Sequence, residues 1–76
     1  MKKFEVGKRY ALKRAGKRTR HFQVMSRKET SMWLQEDGHN GDGKRRFIEK
    51  DGDEEICHPN GKTYMAPILG AGSLEG

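Results

Sequence analysis

The stretch Lys8–Phe22, KRYALKRAGKRTRHF, carries seven Lys or Arg side chains in fifteen positions and no carboxylate. A second basic run, Lys44-Arg45-Arg46, follows later in the chain. Side chains of this type can neutralise phosphates, displace their counterions and make association strongly salt-dependent. Arg is prominent in both runs, and its planar fork suits a phosphate better than a point charge does. The candidate phosphate contacts are Lys13, Arg14, Lys17, Arg18 and Arg20 in the first run and Lys44, Arg45 and Arg46 in the second. The same residues would also serve as the wet side of a small sheet. Glu36, Asp37 and Asp42 stand in the same region and would then cancel part of the charge.

Other chemistry finds less support. Cys57 and His58 are adjacent, so on a strand they point to opposite faces and chelate poorly together. His21 and His39 lack ligand spacing. The loop Asp37–Gly43 misses the alternating oxygens and terminal bidentate Glu of a calcium loop. No nucleophile elbow, P-loop or GxGxxG occurs. The pattern therefore predicts no catalytic residue, no metal site and no cofactor. Single-strand binders place exposed aromatics beside a basic groove. Tyr10 and Phe22 share the parity of the apolar residues, which predicts burial. Trp33 and Phe47 have the opposite parity to their apolar neighbours. An outward Trp33 would be a stacking surface or, with Phe47 and Tyr64, an anchor for a protein partner. The favoured alternative is that Trp33 covers a second small core formed with the C-terminal segment, because a small domain rarely leaves its only Trp outside.

These candidates matter only if the fold brings them together. No window sustains helical periodicity, and glycines puncture the second half. A period of two is clearer. Phe4, Val6, Tyr10 and Leu12 mark a first strand with a bulge near Gly7. Phe22 and Val24 mark a second, Met32 and Leu34 a third, Phe47 and Ile48 a fourth, and Ile56 a fifth. Turn residues separate them at 15–17, 27–30, 37–43, 51–53 and 59–61. A three-residue loop Asp51-Gly52-Asp53 would set Ile48 opposite Ile56 and Lys50 opposite Glu54. The fold expected is all-β, a five-stranded antiparallel meander curled into an SH3-like or OB-like barrel. Its turn 13–20 and loop 37–43 lie at the same sheet end, so the two basic runs would share one rim. Pro67 excludes a central strand from Tyr64–Leu69, which is expected to form a turn or edge strand closing one barrel end.

The chain has 76 residues, 32% of them hydrophobic and 36% charged, which fits one small domain without a deep cavity. Residues 1–72 are read as that domain. Residues 73–76 are set apart as a vector-derived tail, because Leu74-Glu75 is what a common cloning site encodes. The net charge of +5 is uneven: residues 1–34 carry +9 and residues 35–76 carry −4. No apolar run is long enough to span a membrane, and the single Cys57 cannot form an internal disulfide. A cytoplasmic location is the expectation.

Three islands, Phe4–Tyr10, Phe22-Gln23-Val24 with Arg27, and Pro59–Lys62 followed by Tyr64–Leu69, carry a likeness. On them the chain resembles small uncharacterised bacterial β-proteins associated with phages or other mobile elements. The resemblance implies a β-rich fold and a mobile-element setting, and hands over no activity and no site residues. The leading expectation is thus a non-enzymatic accessory protein that grips DNA or RNA phosphates with low sequence specificity. The alternative is a protein-interaction module that docks on an acidic partner surface. Either would be a monomer or an edge-paired dimer.

Overall fold

The period-two pattern resolves into short strands. The computed structural model describes residues 1–39, 41 and 43–75. Among them are β1 (Arg9–Leu12), β2 (Arg20–Arg27), β3 (Ser31–Glu36), β4 (Lys44–Phe47), β5 (Glu49–Asp51), β6 (Glu54–Cys57) and β7 (Leu69–Gly70), followed by a 3₁₀ turn at Ala71–Ser73. β1, β2, β3 and β4 form one antiparallel sheet in chain order, and β5, β6 and β7 form a second.

The meander of the first four strands and the all-β class are as expected. The single closed barrel is not: the described residues form seven strands in two sheets. The divide falls at Ile48, whose N–H donates to Thr30 O at 2.9 Å while the chain turns out of the first sheet. What read as one fourth strand is β4 and β5 in different sheets. On the far side the isolated bridge Tyr10–Leu74 and the bond from Glu75 N–H to Arg9 O (2.9 Å) lay residues 74–75 along the free edge of β1.

The two sheets enclose Phe4, Tyr10, Leu12, Phe22, Val24, Met32, Leu34, Cys57 and Leu69. Phe4 and Tyr10 meet edge to face, with ring centroids 5.0 Å apart, the geometry that aromatic quadrupoles favour. The bulge near Gly7 is present. Gly7 N–H donates to Val24 O and Val24 N–H donates to Lys8 O, so two residues oppose one. Gly7 has φ +85° and sits in a turn closed by Lys8 N–H to Glu5 O. That turn throws Val6 outward, against its expected place in the core; it is exposed.

The β5–β6 register also differs from expectation. Lys50 faces Glu55 and Glu49 faces Ile56, around a two-residue connection, Gly52-Asp53. Gly52, at φ +61°, occupies the first central position, where a tight hairpin favours glycine. This register turns Glu55 and Cys57 inward and leaves Ile56 half-buried. An apolar pairing of Ile48 with Ile56 is lost, and the cause is the strong partner waiting for Glu55. The expected edge strand at the C-terminal segment is β7, where Leu69 is fully buried, but Tyr64, Met65 and Ile68 remain exposed. That segment supplies one core residue and does not close an end.

Candidate nucleic-acid interface

The basic turn is built as the sequence suggests. β1 and β2 pair Leu12 with Arg20, so residues 13–19 form the connecting tip. Lys17 N–H donates to Arg14 O at 3.1 Å, and Gly16 adopts φ +68° beside it. Lys13, Lys17 and Arg18 are exposed, while Arg14 is half-buried. Arg14 Nε lacks a hydrogen-bond partner among the described residues. Arg20 is different. Its fork donates to Glu36 at 2.8 and 2.6 Å, and its guanidinium lies 5.1 Å from the Phe22 ring centre. Those bonds hold the Glu36 carboxyl below the ordinary carboxylate range. Asp37 is taken by Arg9 rather than by the tip. Asp42 lies outside the described residues.

The second basic run is divided between two faces. Residues directly opposite on an antiparallel pair share a face. Lys44 faces Leu34 and Arg46 faces Met32, on the side of the core. Arg45 faces Trp33, on the outer side. Gly43 admits this strand: its φ is +85°, and a Cβ there would collide with the Leu34 carbonyl. Arg46 is tied down by donating from Nε to Pro59 O at 2.9 Å. Arg20, Lys44 and Arg46 line a cleft of about 500 Å³, floored by Phe22 and Leu34 and walled by Pro59. The expected shared rim is therefore partial. Three of the eight candidates meet in this cleft, Lys13, Arg14, Lys17 and Arg18 stay at the tip, and Arg45 looks the other way.

Trp33 is 42% exposed on the outer face, so the second small core expected beneath it does not form. The Met25 bulge sets Ser26 opposite Trp33, and Arg45 flanks it from β4. The C-terminal segment packs on β6 instead. Phe47 is 66% exposed on the same outer face, and the Arg45 guanidinium lies 5.2 Å from its ring centre. Tyr64, the third candidate anchor, is 95% exposed but belongs to a different segment.

Sequence reasoning missed one ion pair. The β2–β3 register slips between Val24 and Ser26, leaving Met25 as an extra residue. Past that bulge Arg27, not Ser26, faces Met32 and points inward. There its Nη1 reaches Glu55 at 2.8 Å, and its Nη2 reaches the same carboxylate at 3.2 Å. The remaining donors go to Phe4 O, Lys28 O and Glu29 O. Glu55 is 3% exposed and also accepts the Phe4 N–H at 2.8 Å. The hydrogen bonds from Arg27 thus hold the pKa of this carboxyl below its usual value. Nothing in a plain alternation marks the bulge, but a glutamate at core parity with Cys57 is a legible request for an inward Arg.

Burial pushes the Cys57 thiol up to about 12, which keeps it protonated near neutral pH. His58, just past the end of β6, has its Nδ1 3.2 Å from Glu49. Among the described residues no three His, Cys, Asp or Glu side chains gather as metal ligands. No helix among them is long and apolar enough to cross a membrane.

No family model, curated protein or solved structure matches the chain.

Proposed function

We propose that this is a non-enzymatic nucleic-acid-binding accessory protein that contacts phosphates through its basic tip and β4, with low sequence specificity. One observation carries the reading. Of the eight candidate cations only Arg20 has a carboxylate partner; Lys13, Arg14, Lys17, Arg18, Lys44, Arg45 and Arg46 have none among the described residues. Of the carboxylates that could have cancelled them, the two among the described residues are each engaged by an arginine: Glu36 by Arg20 and Asp37 by Arg9. Unpaired exposed cations raise the local concentration of a polyanion and gain from its counterion release. A short turn and an edge strand offer no helix to the major groove, which favours backbone contact over base reading. The mobile-element setting implied by the sequence resemblance suits such an accessory role.

β4 is the edge of its sheet and carries Lys44-Arg45-Arg46. Like charges opposed along two such edges would repel, which supports a monomer over an edge-paired dimer. A second reading keeps one specific observation: Tyr64, Met65 and Ile68 are exposed together in one short segment. An apolar strip of that kind fits docking on a protein partner, with the cations steering approach to an acidic surface.

Binding of unrelated single- and double-stranded oligonucleotides across a salt series tests the first reading. It requires measurable affinity at low salt and a log–log slope of several units, roughly 0.7–0.9 per phosphate neutralised. Absence of binding at low salt would leave only the second reading.

A further inference from the structure

We infer that the outer face of β3 and β4 is a base-stacking platform for single-stranded nucleic acid, formed by Trp33, Arg45 and Phe47. The inference rests on the nucleic-acid reading above and names the form of nucleic acid that reading leaves open. The register fixes the arrangement. Trp33 faces Arg45 and Ser31 faces Phe47, so the indole and the phenyl lie on one face, diagonal across two strands, with the Arg45 guanidinium 5.2 Å from the Phe47 ring centre. Diagonal neighbours on a sheet lie about 7–8 Å apart. That is roughly twice the ~3.4 Å rise of one strand of stacked nucleotides. Both rings present open surface, at 42% and 66% exposure.

Charge selects the occupant. A hollow of about 240 Å³ beside the indole is lined by Lys28 and Arg45 with Ser26, Ser31 and Arg27, and includes no carboxylate. Arg27 is already neutralised by Glu55, which leaves Lys28 and Arg45 without carboxylate partners among the described residues. The outward positions of β2, β3 and β4 near the indole include Gln23, Ser26, Gln35 and Arg45, and the bulge residue Met25 is exposed beside them; none is an acid. An apolar protein partner would gain little from two flanking cations. An anionic chain with flat rings uses both features, its phosphates on Lys28 and Arg45 and its bases on Trp33 and Phe47. A duplex keeps its base faces inside its own stack, so only a single strand can use the rings.

Trp33 is the sole tryptophan, so its emission reports this face alone. The full chain is titrated at low salt with a labelled oligothymidylate and with a duplex of the same length, following both label anisotropy and Trp33 emission. The single strand should quench Trp33 and the duplex should not. Phe47→Ala and Trp33→Ala should each weaken single-strand binding about 5- to 100-fold, leaving duplex binding unchanged. Phe47 is the more exposed ring, so its variant keeps the test valid if Trp33→Ala perturbs folding. Arg45→Lys should weaken binding while preserving the salt slope, because the charge remains and the plane is lost. Anisotropy showing single-strand binding with unchanged Trp33 emission, and wild-type affinity in Phe47→Ala, would overturn the platform and leave the phosphate-contact reading standing. No binding of either oligonucleotide would overturn both.

Discussion

Arg27 directs all five of its N–H groups to the protein itself, whereas Lys13, Lys17 and Arg18 meet no carboxylate among the described residues. The first joins the N-terminal segment, the β2–β3 turn and β6, and so fastens one sheet to the other. The others project from a hairpin tip where packing asks nothing of them. A guanidinium taken out of water must have its charge and donors answered, or burial becomes very costly. A lysine left in water has no such demand. The two groups therefore separate cations that specify the fold from cations available to a partner, and sequence composition cannot make that separation. Arg20 stands between them, half-buried and held by Glu36, yet on the wall of the open cleft.

The contrast is broken most severely at Glu55. Glu55→Ala leaves Arg27 buried without its counter-charge and should cost about 3–5 kcal/mol in denaturant unfolding. The folded fraction should still bind oligonucleotides, since none of the eight candidate contacts is touched. A cost below about 1 kcal/mol would place Arg27 among the dispensable cations and erase the distinction.

Acid titration probes the same pair more gently. Glu55 and Glu36 both have carboxyls held below the ordinary value by hydrogen bonds from Arg27 and Arg20. A carboxyl depressed in the folded state contributes stability that is present above its unfolded value and lost as pH falls through the folded one. Unfolding free energy should therefore be insensitive to these groups near neutral pH and decline below about pH 4.3, the ordinary Glu value. Glu55→Gln should flatten that decline, as measured by denaturant midpoints from pH 6 downward. An unchanged acid slope would mean that the pair is not coupled to folding.

Glu36→Gln asks whether Arg20 can change groups. Its ion pair is about one-fifth exposed on each side, so a stability loss of about 1 kcal/mol is expected. Oligonucleotide affinity should rise, because one more guanidinium becomes free at the cleft. Equal or weaker affinity would assign Arg20 to the fold alone.

The legible part of this molecule follows from side-chain alternation. Phe22 with Val24 and Met32 with Leu34 sit in uninterrupted strand segments, and their burial follows the period of two. The tip at Gly16 and the bulge at Gly7 were legible because glycine marks where φ turns positive. What escaped was every consequence of a one-residue slip. Met25 carries no mark of a bulge, yet it decides that Arg27 rather than Ser26 points inward. Ile48 and Ile56 look like a cross-strand pair, and the register that separates them is set by Glu55 finding Arg27 across the core. The small size of the domain predicts a covering segment over Trp33, but its neighbours Ser26 and Arg45 leave it open. For the site, residue types single out the cations as a group, and seven of the eight have no carboxylate partner among the described residues. Their division between faces follows alternation, Arg45 sharing the parity of Phe47, but the meeting of Lys44 and Arg46 with Arg20 at one cleft depended on the pairing of β4 with β3 at Leu34–Lys44, which alternation alone does not specify.

The most direct test replaces Lys13, Lys17 and Arg18 together by Ser and compares the salt dependence of single-strand binding with that of the wild type. Exposed substitutions of this kind should each change stability by no more than about 0.5 kcal/mol. The log–log slope should fall by roughly 2–3 units, three lost contacts at about 0.7–0.9 each. A variant that folds like the wild type and keeps its full slope would contradict the claim that the unpaired tip is the phosphate contact.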